Sequence, residues 1–171
     1  MTIRYFQTGG QAFGYDDTDQ TAAPLIAAAV AAGWTEVTGN WPPPETVQQA
    51  QAVQLASLRA ECDAAILAGY VSSALGAVYL YPSSTTDQIN MMGSVTASML
   101  PGLAAGWSTP FWCKDNSGVW AMRPHTASQI RQAGNDGKAW VLTCQQKLAA
   151  LSATVAAATT VDAVNAIVWG N

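Results

Sequence analysis

The sequence predicts an α+β protein, with a small N-terminal β-hairpin module followed by a helical body carrying two β-hairpins. Three observations predict this class. Glycine-centred turns separate short runs of alternating aromatic residues, as at "RYFQTGGQAFGY". Threonine-led capping signatures open apolar patterns of helical period, as at "TTDQINMM" and "TASQIRQA". The tract "NWPPPET" breaks the chain between the two kinds of pattern. The expected division is a β module over 1–40, a proline-rich linker over 41–45 and the body over 46–171.

In the first module Gly9-Gly10 sits between aromatic runs, a hairpin turn that would set Tyr5 or Phe6 across from Phe13 or Tyr15. A short helix follows in "TAAPLIAAAVAAG", with Gly33 as its stop and an extended piece from Trp34 to Val37. Pro42-Pro43-Pro44 reads as a stiff polyproline II spacer that lies outside any strand.

The body opens with a helix from Glu45 to about Leu67, keeping Val47, Leu55, Leu58, Cys62 and Ile66 on one face and Gln and Arg59 on the other. Gly69 ends it. Two short strands turn around Leu75-Gly76, and Pro82 closes the second. Thr85 and Gln88 stand at the spacing of a capping box, with Ile89, Met92, Thr96 and Met99 or Leu100 as the apolar face of the next helix. After Pro101-Gly102 comes a hairpin in which Phe111 and Cys113 alternate with Trp112 and Lys114, turning at Asn116-Ser117-Gly118. Thr126 and Gln129 repeat the capping signature. A stripe through Ile130, Ala133, Gly137, Val141, Cys144, Leu148, Leu151 and Val155 then predicts one long helix. Gly134 and Gly137 inside it are each about 1 kcal/mol less favourable than Ala. They mark a close crossing or a kink near Asn135. Thr159 and Asp162 are expected to cap a last short helix from Val161 to Trp169.

Composition narrows the function. Charged residues are 11% of the chain, against roughly 25% in ordinary soluble domains. A surface so poor in charge calls for a covering partner or self-association. The net charge is −4 and the seven Lys and Arg are scattered, which argues against nucleic acid. "MTIRYFQTGG" has no apolar core of a signal peptide, and "AAPLIAAAVAAG" is too short to span a bilayer, so no membrane partner is expected. Cys62, Cys113 and Cys144 are odd in number and widely spaced, and read as reduced core residues, with Cys144 the most buried. No cofactor and no metal site are expected.

The stretch "GYVSSALGAVYLYPSSTTDQINMMG" is rich in hydroxyls, but it reads as hairpin and helix cap. A nucleophile needs a base, and the single histidine, His125, enters a helix behind Pro124, where it packs or caps. Glu61 and Asp63 face different ways on a helix, Asp16, Asp17 and Asp19 form a polar turn, and "TGGQAFG" precedes no phosphate-binding lysine. The expectation is a protein that is not an enzyme, with no catalytic residue. The aromatic residues are the better functional signal. Seven tryptophans, with Tyr79, Tyr81, Trp112 and Trp120 on strands, exceed what so small a sheet can bury. Some fill the core; the rest form a patch that stacks on a sugar or anchors a protein.

Cys62, Gly69, the turn Ser73 to Gly76, Tyr81-Pro82-Ser83, Asp87-Gln88, Asn90, Trp112-Cys113, Trp120 and His125-Thr126 form a set of signposts between Leu58 and Trp169. On them the body resembles a domain of unknown function found in tail genes of tailed bacteriophages, commonly beside the tail-fibre gene. The front, "YFQTGGQAFGYDD…AAGWTEVTGNWPPP", is similar to the start of tail-fibre assembly proteins, with their aromatic hairpin, "GW" and proline-rich joint. The resemblance implies a fibre-assembly chaperone that binds the receptor-binding end of a phage tail-fibre protein. It would act in the host cytoplasm during assembly. The alternative is a structural component retained in the virion tail that contacts host glycan through exposed aromatic residues. The expected contact residues are Tyr5, Phe6, Phe13, Tyr15 and Trp34 on the first module. Tyr79, Trp112 and Trp120 on the body would give a second contact or a self-association surface.

Overall fold

The computed structural model describes residues 2–39, 42 and 45–170. It is α+β, 48% helical and 21% strand. The chain divides into two compact units, Met1–Thr46 and Val47–Asn171. Of the proline-rich segment, Trp41, Pro43 and Pro44 fall outside the described residues.

In the first unit β1 (Ile3–Thr8) and β2 (Gln11–Asp16) form the hairpin expected at Gly9-Gly10, both of which have positive φ as a tight turn requires. Phe6 lies opposite Phe13, Arg4 opposite Tyr15, and Tyr5 opposite Gly14. Helix α1 (Ala23–Ala31) has Pro24 in its first turn and stops before Gly33. The chain then adds β3 (Thr35–Glu36) beside β1, giving the order β2-β1-β3. A bidentate Arg4–Glu36 pair, at 2.8 and 2.7 Å, ties β3 to β1.

The second unit is organised by one long helix. Strands β4 (Tyr70–Ser72), β5 (Tyr79–Tyr81), β6 (Ser108–Lys114) and β7 (Trp120–Thr126) form an antiparallel sheet in sequence order. Helices α2 (Val47–Leu67), α3 (Thr85–Ala97), α4 (Ala127–Ala157) and α5 (Val161–Asn165) complete it. At 1.5 Å per residue α4 is about 46 Å long, enough to serve two cores. Its first half, through Ile130 and Ala133, packs on the sheet residues Tyr70, Tyr81, Phe111 and Cys113. Its second half, through Leu148, Leu151 and Val155, packs with Ala50 and Leu58 of α2 and Val164 of α5. The predicted stripe is the buried stripe, and the helix is unbroken through Asn135. The two glycines serve close approach. A Cβ at Gly134 would stand 2.7 Å from Val95 of α3, and one at Gly137 would stand 2.7 Å from the Tyr70 ring.

Several local expectations are corrected. The N-cap of α3 is Ser84, whose hydroxyl accepts from the Asp87 amide while the Asp87 carboxylate accepts from the Ser84 amide. The capping box is thus Ser84 with Asp87, one residue ahead of Thr85 with Gln88, because the shorter Asp closes the reciprocal pair and Gln88 bonds the Ser83 carbonyl instead. The buried face also differs from the expected one: it is Met91, Val95 and Ser98, with Met91 and Val95 packed against α4 at Gly134, leaving Ile89, Met92, Met99 and Leu100 exposed. Thr126 with Gln129 caps α4 as expected. Thr160, not Thr159, caps α5, and that helix ends at Asn165 rather than Trp169. Gln51 and Gln54 sit on the packed side of α2, where their amides bond the carbonyls of Val155 and Ala158 at the end of α4 and of Ile167 just beyond α5. All three cysteines are free and buried, Cys113 more completely than Cys144 because it faces the covered side of a central strand.

Candidate functional site

Strand alternation gives the four-stranded sheet two unlike faces. On the covered face Tyr81 is fully buried, stacked on Tyr70 at 5.4 Å and set edge-on to His125 at 5.7 Å. His125 Nδ1 lies 2.8 Å from the Arg123 carbonyl, which only accepts, so Nδ1 carries the proton. Nε2 is then the acceptor for the Tyr81 hydroxyl at 2.7 Å. Burial lowers the His125 pKa, favouring this neutral form. The histidine packs, as expected, inside a closed hydrogen-bond relay. Tyr79 also belongs to this covered side. Its ring lies under the Arg123 guanidinium at 5.0 Å, and that guanidinium reaches on to Asp115 at 2.6 Å. Tyr79 therefore does not join the outward patch expected with Trp112 and Trp120, because the pleat turns it inward.

The other face is open. Register places Val71, Leu80, Lys114 and Trp120 in one row across all four strands, and Trp112 opposite Met122 in the next. Pro110 and Pro124 form the third row. Trp112 is 48% exposed, Trp120 43% and Met122 52%. These values are high for residues of such size and decide that each keeps about half of its side chain open to solvent. Lys114 lies 5.6 Å from the Trp120 ring, lending one cation to an otherwise apolar surface. Beside the two tryptophans, Pro82 and Asp87 complete a shallow depression.

The same Pro82 and Asp87 line a second, deeper feature, a groove of about 410 Å³ between α3 and α4. Met91, Val95 and Val141 give it apolar walls, and Gln88, Asn135 and Lys138 give it polar ones. Tyr70 lines it too, and its hydroxyl is buried with no hydrogen-bond partner. Burial pushes the Tyr70 pKa well up, so this hydroxyl remains a neutral donor.

The first module presents less than its sequence promised. Phe6 is fully buried, with the Arg4 guanidinium 5.2 Å from its ring and Tyr15 at 6.2 Å, so it is core and not an exposed anchor. Phe13 meets Trp34 in a tilted contact at 5.1 Å, leaving Phe13 39% exposed and Trp34 half-buried. Tyr5 lies across Gly14, where a Cβ would stand 2.8 Å from the ring. A three-stranded module without a large helix consumes its own aromatic residues for stability. The groove went unseen in the sequence. Its one signal was the pair of glycines in a helix, which announced a close crossing without saying what lies beside it.

Residues 49–168 match the family described as Domain of unknown function (DUF4376). The chain belongs to that family. No curated protein and no solved structure matches it. Within the DUF4376 region fall the whole open face and the whole groove. Among the described residues no cluster of three His, Cys, Asp or Glu is placed to hold a metal ion, and no helix is long and apolar enough to cross a membrane.

Proposed function

We propose that this protein is a tail-fibre assembly protein of a tailed bacteriophage, and that it holds the receptor-binding end of a fibre on the open face of its four-stranded sheet. The observation that carries the reading is the group of Trp112, Trp120 and Met122, each close to half exposed on a sheet whose reverse side carries the buried core residues Tyr70, Tyr81, Phe111 and Cys113. Exposed tryptophans grouped at the centre of a rigid surface are the usual anchors of protein docking. The charge-poor composition and the likeness of both halves to phage tail proteins point the same way. Fibres are slow, non-local β-assemblies whose edges are exposed while they fold, so a partner that covers them has a physical purpose. The body sheet replaces the first module as the main contact, because Phe6 is unavailable and Phe13 already packs against Trp34.

A second reading is a structural tail component that meets host glycan. The closeness of Asp87 to Trp112 and Trp120 favours it, since a carboxylate beside a stacking platform suits sugar hydroxyls. Co-expression of the neighbouring fibre gene with and without this protein, followed by size-exclusion chromatography, tests the first reading. Soluble trimeric fibre is expected only with the protein present, and with Trp112→Ala or Trp120→Ala the yield falls. Fibre that forms equally well alone refutes it, and recovery of the protein in purified particles supports the second reading.

A further inference from the structure

The groove between α3 and α4 has a composition that fibre docking does not use. We propose that it binds a neutral sugar ring, with the Tyr70 hydroxyl as a recognising group and the Trp112–Trp120 depression as the platform for the adjoining ring. The proposal stands on the groove and goes beyond docking.

Size comes first. At about 410 Å³ the groove falls within the roughly 300–1,000 Å³ of small-molecule sites. Charge comes next. The ionisable acid and base lining it are one Asp87 and one Lys138, which cancel, and Asp87 is already committed to the cap of α3. An anion meets the Asp87 carboxylate and a cation meets Lys138, so an uncharged ligand is favoured. Its polar groups are nonetheless plentiful. The Asn135 amide and the Lys138 ammonium form no hydrogen bond or ion pair among the described residues. Both residues are open to solvent at the groove's mouth, where a sugar offers hydroxyls to them and a C–H face to Met91, Val95 and Val141.

The independent observation is the Tyr70 hydroxyl. Tyr70 is 7% exposed, and its oxygen lacks a partner. Such atoms are rare in folded proteins, because burying a hydroxyl unpaired is unfavourable. A Cβ at Gly137 would stand 3.1 Å from that oxygen, and Gly137 also lines the groove, so the hydroxyl lies just behind the groove wall, against α4. The helix-disfavoured Gly137 is what allows the ring to lie there, while Gly134 makes room for Val95 of α3. Continuity supplies the second subsite, since Pro82 and Asp87 border both the groove and the tryptophan depression.

The test is titration of the isotope-labelled full-length protein with maltose, cellobiose, lactose and N,N′-diacetylchitobiose, read by amide chemical shifts. At least one is expected to give saturable shifts clustered at Gln88, Asn135 and Gly137. Tyr70→Phe removes only the hydroxyl and is expected to weaken binding by about 3–10-fold. It does not lower the melting temperature, because the hydroxyl has no partner to lose among the described residues and its unpaired burial is relieved. Unchanged sugar affinity in Tyr70→Phe overturns the proposal. So does saturation by acetate or phosphate without any response to the four sugars, or a groove that responds only to a fibre-derived peptide. Fibre solubilisation is measured on the same variant. Its retention when sugar binding falls separates this inference from the docking reading.

Discussion

Replacing Gly137 with Ala sets two opposed effects against each other, and the structure says which prevails. Ala is favoured over Gly in a helix interior by about 1 kcal/mol. The new Cβ, however, would stand 2.7 Å from Tyr70 Cζ and 2.8 Å from Cε1. Real contacts are not that short, so the ring must move. It is held from behind by its stack on Tyr81 at 5.4 Å, and Tyr81 is itself fully buried. Overpacking of this kind costs roughly 1–3 kcal/mol. The net expectation is a destabilisation of about 1 kcal/mol, or about 2–4 °C in melting temperature for a chain of this size. Gly93 is the internal control. It lies in α3 with negative φ and nothing within 4 Å of an added Cβ. Gly93→Ala should therefore raise stability by up to about 1 kcal/mol. Urea denaturation of both variants should separate them by about 2 kcal/mol. In a Tyr70→Leu background, where the ring tip is gone, Gly137→Ala should become neutral or stabilising, a coupling that a double-mutant cycle reads directly. If Gly137→Ala stabilises the unmodified protein as much as Gly93→Ala does, the Tyr70 ring does not lie against α4, and the groove loses its wall.

Four further outcomes are expected. Ser84→Ala should cost about 1 kcal/mol through loss of the α3 cap, while Thr85→Ala should change stability by less than about 0.5 kcal/mol; thermal melts of the pair distinguish the two capping registers. His125 has its pKa lowered on folding by burial, so the unfolded chain binds the extra proton. Stability should therefore fall as pH drops below the ordinary value of 6.5 and level off beneath the folded value, and His125→Phe should flatten that limb in denaturation midpoints against pH. Glu36 titrates apart from it. Its hydrogen bonds from Arg4 and Thr38 hold it to about 2, so the stability it lends the first module is present above the ordinary value of 4.5 and is lost below that, which Glu36→Gln should remove. Finally, Trp112→Ala and Trp120→Ala should each leave the melting temperature almost unchanged, yet weaken fibre capture by about 2 kcal/mol in a pull-down titration, because neither ring is packed by the unit's own core.

The sequence by itself determined which segments form helices and strands and most of what buries them. Periodicity, glycine turns and capping residues are local, and local chemistry settles them. Thus Gly9-Gly10 turns the first hairpin, Thr126 starts the long helix, and its stripe from Ile130 to Val155 is the buried one. Where two capping pairs compete one residue apart, as Ser84 with Asp87 against Thr85 with Gln88, the packed geometry chose, and packing against α4 separately decided that Met91 and Val95 are the buried face of α3. Which aromatic residues face outward was likewise a tertiary decision. Alternation says that Tyr79 and Leu80 point opposite ways, but only the side on which α4 packs says which of them is covered. The groove was beyond the sequence altogether. Tyr70 and Gly137 are 67 positions apart in the numbering (137 − 70), and an orphaned hydroxyl exists only once a helix with no side chain at one position has closed over it.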